Sequence, residues 1–120
     1  MRPIKFRAWN DIYKMMIGWD TLQASPVLFM NILKGKVKHH KLMQFTGLQD
    51  KNGVDIYEGD LISLHDNQRG FTKVLFINAY VGGWLLVRNN NECSLGARRR
   101  EDLEVIGNIY QNPELLENKS

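Results

Sequence analysis

A single cysteine, Cys93, stands in the whole chain. One thiol can neither close an internal disulfide nor build a cysteine-rich zinc site, and its solitude fits a reducing compartment. No stretch approaches about 18 uninterrupted apolar residues, and the start Met1-Arg2-Pro3-Ile4-Lys5 has no apolar signal core, so neither membrane spanning nor export is indicated. The expected location is the cytoplasm. Also missing are a glycine-rich phosphate loop, a G-x-S-x-G nucleophile elbow and an H-E-x-x-H zinc helix. With no internal repeat, low-complexity tract or linker, and with 120 residues to bury a core, one domain over residues 1–120 is expected.

Charge of one sign is scarce overall, the net being +3, but it is unevenly placed. Residues 1–41 carry eight Lys and Arg against Asp11 and Asp20, a balance of +6. Residues 42–68 carry Lys51 against Asp50, Asp55, Glu58, Asp60 and Asp66, a balance of −4, and the remaining seven basic and six acidic residues add +1. Such polarity orients a protein on a charged partner or orders self-association; it is equally compatible with internal charge balance in a compact fold.

What is present is β grammar. Ile4, Phe6 and Ala8 alternate with Lys5, Arg7 and Trp9, the period of a strand with one buried face. After a turn at Asn10-Asp11, Tyr13 to Trp19 reads as the return strand. Ser25 and Pro26 open a short helix carrying Val27, Leu28, Phe29, Ile32 and Leu33 as far as Gly35, although the same residues suit a buried strand. Asn52-Gly53 is the strongest local signal and predicts a type I′ hairpin turn. Gly47 and Gly59 mark bends or bulges. Asp66 to Gly70 is a loop, Phe71 to Tyr80 the best single strand, and Gly82-Gly83 a second hairpin turn into Trp84 to Arg88. Asn89 to Asn91 reads as a loop, Leu95 to Asp102 is ambiguous, and Glu104 to Tyr110 is a strand. Asn112-Pro113-Glu114 reads as the capped start of a terminal helix. The expected fold is mainly β within the α+β class: a strongly bent antiparallel sheet or a small partly open barrel, with one or two short helices.

Three pieces occur in order: Ile4 to Trp9 (IKFRAW), Phe45 to Gly53 with Ile56 to Asp60 (FTGLQDKNG and IYEGD), and Glu104 to Tyr110 with Asn112 to Leu116 (EVIGNIY and NPELL). Together they resemble the YopX family of phage and prophage proteins, and the likeness extends over essentially the whole chain. It implies a small β-rich protein of a bacterial host cell and carries no catalytic residues across. Gly18 to Lys41 and Asn89 to Asp102 show none of the family's recurring words.

The acidic cluster Asp50, Asp55, Glu58 and Asp60 invites comparison with a calcium loop. An EF-hand opening at Asp50 needs an oxygen ligand at its fifth position and glycine at its sixth, where Val54 and Asp55 stand. Turn-flanking and loop-capping roles explain these carboxylates better. His39 and His40 are adjacent, so on a strand they point to opposite faces and cannot share an ion, and His65 has no spaced partner. Neither a metal nor a cofactor is expected. Cys93 lies a few residues before Arg98, Arg99 and Arg100, but a lone cysteine is more often a packing residue than a reactive one.

Basic residues supply the positive case. If extended, Lys34 to Lys41 places Lys34, Lys36 and Lys38 on one side and Lys41 on the other; Arg98, Arg99 and Arg100 form a second set. With Arg7, Trp9, Trp19 and Trp84 as stacking candidates, these suit phosphate and base contacts. Against this, the lysines solvate an exposed strand edge and the tryptophans fill the core. The leading reading is a non-enzymatic phage accessory module acting on nucleic acid. The alternative is a protein–protein module that self-associates as a homo-oligomer or docks on a host protein. A small metal-dependent hydrolase built on the carboxylates is the weakest reading.

Overall fold

The computed structural model describes residues 4–66, 71–80, 83–88 and 91–117. Two compact units divide it, residues 1–45 and 46–120. Both are built on antiparallel strands, and the fold is mainly β with three short helices.

In the first unit, β1 (Phe6–Asn10) pairs with β2 (Met15–Ile17), matching Ala8 to Ile17 and Asn10 to Met15. The strand expected from Tyr13 to Trp19 is therefore only three residues long, because Trp19 already opens α1 (Trp19–Ala24). Pro26 then starts α2 (Pro26–Leu33), where its fixed φ suits the first helical turn; Ser25 flanks the helix without a side-chain cap bond. Leu28, Phe29 and Ile32 turn inward, joining Ala8 and Leu22 in a core that also takes in Phe6, Ile17, Trp19, Val37 and Leu42. Phe6, Trp19 and Phe29 form an aromatic triangle with centroids 5.6–5.9 Å apart, each pair contributing about 0.5–1.5 kcal/mol beyond its buried area.

The segment Lys34 to Lys41 is not extended. Gly35 N–H donates to Ile32 C=O and Lys36 N–H to Asn31 C=O, with Gly35 at φ +74°: a Schellman close that leaves Lys34 and Lys36 around the end of α2. Turns follow through His39, and the chain becomes a strand only at β3 (His40–Gln49), which pairs with β1 from Phe6–Gln44 to Asn10–His40. The alternation of lysine with small residues mimics a strand, but satisfying the last carbonyls of α2 takes precedence there.

The first sheet has the strand order β2-β1-β3-β4, with β4 at Asp55–Tyr57. A five-stranded sheet, β8-β7-β6-β5-β9, is formed by β5 (Asp60–Asp66), β6 (Phe71–Tyr80), β7 (Gly83–Arg88), β8 (Asn91–Ser94) and β9 (Leu103–Asn108). β5 lies between β6 and β9. Leu61, Ile62, Ser63 and Leu64 are all buried, the behaviour of a strand covered on both faces. Ile62, Leu64, Leu75, Ile77, Leu86 and Leu103 form the second core with Ile56 and Leu95. Pairing slips from Leu61–Gly107 to Ile62–Val105, leaving Ile106 as a bulge. The ambiguous stretch before β9 holds two 3-10 turns, Leu95–Ala97 and Arg100–Asp102. α3 (Glu114–Glu117) follows Asn112-Pro113 as expected, but the Asn112 side-chain oxygen accepts from Asn108 N–H at 3.3 Å. Among the sequence expectations, the loop at Asn67 to Gly70, Gly82 of the second hairpin turn and Asn89-Asn90 lie outside the described residues.

Candidate nucleic-acid interface

The acidic cluster does structural work in the second unit. Asp50 is fully buried, and its Oδ1 accepts from Asn52 N–H (2.8 Å) and Val54 N–H (2.9 Å) while Oδ2 accepts from Val105 N–H (2.9 Å). Burial by itself pushes the carboxyl upward. The three backbone donors, with the Arg100 guanidinium nearby, outweigh that and hold its pKa below the ordinary 3.8. Asp60 likewise takes Tyr57 N–H at 2.7 Å, and Asp55 takes the Gln49 amide at 3.0 Å. Oxygens already committed to backbone amides are poor metal ligands, and among the described residues no three His, Cys, Asp or Glu side chains are grouped to hold an ion.

The turn that Asp50 organises differs from the expected type I′. Gly53 N–H donates to Asp50 C=O and Asp50 N–H to Val54 C=O, with Gly53 at φ +80°. Asn52 keeps a negative φ, since Lys14 is the only described non-glycine residue with a positive one. The loop is thus a three-residue hairpin with glycine in the left-handed position, its second residue held by the Asp50 carboxylate.

Arg98, Arg99 and Arg100 sit between the two 3-10 turns of the same unit. Arg100 Nε donates to Asp50 C=O at 2.7 Å, which anchors the central turn from the side. Arg99 lies 3.7 Å from Asp102, and Arg98 is half-buried. Arg100 is thus committed to the central turn and Arg99 pairs with Asp102.

The lysine set has a different environment. Lys34, Lys36, Lys38 and Lys41 are all exposed, and among the described residues none of their ammonium groups forms an ion pair. They lie in the first unit, whose eight Lys and Arg face two Asp for a balance of +6. One of the two, Asp11, is taken by His39 (Oδ1 to Nδ1, 3.3 Å). Exposed like charges in a segment with few counter-charges raise the local positive potential, an effect that salt screens.

The three tryptophans are taken up in the two cores to differing degrees. Trp9 is 4% exposed, Trp19 belongs to the aromatic triangle, and Trp84 packs on the second core. Among the described residues the exposed aromatic is Tyr13, at 74%, in the β1–β2 loop with Ile12 (56%) and next to Met15 (61%) at the start of β2. Asn10 Oδ1 accepts from Ile12 N–H (3.0 Å) and Tyr13 N–H (3.1 Å), and Lys14 closes the loop at φ +57°. Asp11 N–H donates to His39 C=O at 2.9 Å, and Asn10 Nδ2 lies 3.4 Å from His40 Nε2. This tip is therefore fixed beside the lysine segment. A sequence signal for it lies in the turn-forming Asn10-Asp11, although the sequence pattern places Tyr13 in the following strand. On α2, Val27, Met30 and Leu33 also face outward.

Comparison with known proteins bears on this arrangement. The family described as YopX protein matches residues 5–117. The chain belongs to the YopX family. The fold is shared with protein EF1440 from Enterococcus faecalis, a crystal structure matching at TM-score 0.66 and 24% identity over 97% of this chain and 99% of that one. No match is found among curated proteins. The family words quoted from the sequence fall on parts with visible structural jobs. FTGLQDKNG holds the Asp50 turn, IYEGD the Asp60 loop bond, and EVIGNIY the Val105 amide that Asp50 accepts. The lysine segment lies between them. Among the described residues no helix is long and apolar enough to cross a membrane.

Proposed function

We propose that this YopX protein is a non-enzymatic accessory module of phage or prophage origin that binds nucleic acid through Lys34, Lys36, Lys38 and Lys41. The observation carrying this reading is four exposed ammonium groups within eight residues, free of ion pairs among the described residues, on a unit of balance +6. Lysines at a helix end also complement its dipole, which accounts for Lys34 and Lys36 at the close of α2 but not for Lys38 and Lys41 further on. Asp50 and Asp60 accept backbone amides and Asp55 the Gln49 side chain, which supports a binding role over a hydrolase built on these carboxylates.

Binding of a fluorescent oligonucleotide, followed by anisotropy in 50 and 200 mM salt, tests the proposal. Four phosphate contacts give a slope of about −2.8 in log K against log salt for a single strand, which weakens binding about 50-fold over that range. Absent binding at 50 mM, or binding that ignores salt, would overturn it. A protein partner is the second reading, favoured by the outward Val27, Met30 and Leu33 of α2. Salt-insensitive self-association on sedimentation, lost in Met30→Glu, would favour that reading instead.

A further inference from the structure

We infer that the nucleic acid taken by this surface is single-stranded, with Tyr13 as the platform on which a base stacks. The inference rests on the reading above and adds to it the kind of strand. Lysines alone are indifferent to strand number, since phosphates are present on both. An aromatic ring is not indifferent. In a duplex each base has its faces covered by neighbouring pairs, whereas an unpaired strand leaves those faces open to a protein ring.

Tyr13 meets the requirements of such a platform. Its side chain is 74% exposed although a tyrosine ring gains by burial, and Ile12 and Met15 beside it are exposed as well. Its backbone is fixed before any ligand arrives: Asn10 Oδ1 receives both Ile12 N–H and Tyr13 N–H, and the pairs Asn10–Met15 and Asn10–His40 tie the loop base into the sheet on both sides. A preset loop avoids the ordering cost that a mobile one would add on binding. The tip also carries its own cation, Lys14, and is joined to the turn holding Lys38 by the Asp11 N–H to His39 C=O bond and the 3.3 Å contact of His39 Nδ1 with Asp11 Oδ1. Ring and ammonium groups thus occupy neighbouring loops of one unit, as charge-plus-stacking recognition of a single strand needs. With Trp9 buried and Trp19 packed against Phe6 and Phe29, Tyr13 is the exposed aromatic beside these lysines among the described residues.

The test uses the full chain, a labelled oligo-dT strand and a hairpin duplex of equal phosphate count at 50 mM salt. The parent is expected to prefer the single strand. Tyr13→Ala should weaken oligo-dT binding about 5- to 150-fold while leaving duplex binding unchanged, and Tyr13→Phe should retain the parent affinity. Circular dichroism melts of the variants confirm folding, which an exposed ring does not govern. Equal oligo-dT binding by Tyr13→Ala and parent, or a parent that prefers duplex, would overturn this inference. If K34Q/K36Q/K38Q then loses both ligands, the nucleic-acid reading survives without it; a parent that binds neither ligand sinks both.

Discussion

Replacing Asp50 should unfasten the second unit, and the size of the effect follows from its three acceptor contacts. Val105 N–H lies on a half-buried strand 55 residues away, so losing its acceptor leaves a poorly solvated donor and costs about 1–3 kcal/mol. Asn52 and Val54 are exposed, so water replaces Oδ1 at their amides and their loss adds only about 1 kcal/mol. Asp50→Ala is therefore expected to cost about 3 kcal/mol, or roughly 10 °C in Tm. Asp50→Asn keeps one acceptor oxygen but turns an NH2 group toward a donor, for about 1–2 kcal/mol. The effect also depends on pH. Because the folded pKa is depressed below 3.8, the unfolded chain takes up the proton at higher pH than the folded one. The carboxylate's contribution is complete above the unfolded value and disappears as pH falls through the folded one. Guanidinium denaturation of parent and Asp50→Asn, at about pH 6 and again near pH 3, should show a stability gap that narrows in acid. A gap that holds its size at both pH values, or an Asp50→Ala melt within a degree or two of the parent, would refute the role given to this carboxylate.

Two glycines give further checks. Gly53→Val places a β-branched residue at φ +80° with its Cβ 3.4 Å from Arg100 Nη2, so a loss of about 2 kcal/mol or more is expected by thermal melt, and a parental melt would contradict it. At Gly107 an added Cβ would overlap the Asn112 carboxamide, with Cγ at 2.8 Å. Gly107→Ala should destabilise by about 1–3 kcal/mol, and the double variant with Asn112→Ala should cost less than the two single losses summed; strict additivity would exclude that contact.

Where local chemistry decided the structure, it could be read from the sequence. Asn52-Gly53 located the central hairpin, Pro26 the start of α2 and the apolar, β-branched and aromatic run Phe71 to Tyr80 the long strand β6. The kind of turn could not be read, because Asn52 is kept from positive φ by a carboxylate whose third bond goes to Val105, and nothing near residue 50 announces that partner. α1 escaped notice for a related reason: six residues without a side-chain cap hold a helix through Leu22 and the aromatic triangle, which form only in the folded unit. For the candidate site, the lysines were visible but their setting was not. A period of two from Lys34 to Lys38 looks like a strand until the last carbonyls of α2 are counted. That Trp9 is buried while Tyr13 is exposed could not be read from the sequence either, since burial is a property of the assembled core.

The most direct measurement is the salt dependence of oligo-dT binding by the parent and by K34Q/K36Q/K38Q. If these three ammonium groups neutralise phosphates, removing them should lower the slope of log K against log salt by about 2 and weaken binding at 50 mM salt. Parallel lines of equal slope and affinity would show that nucleic acid, if held at all, is held elsewhere.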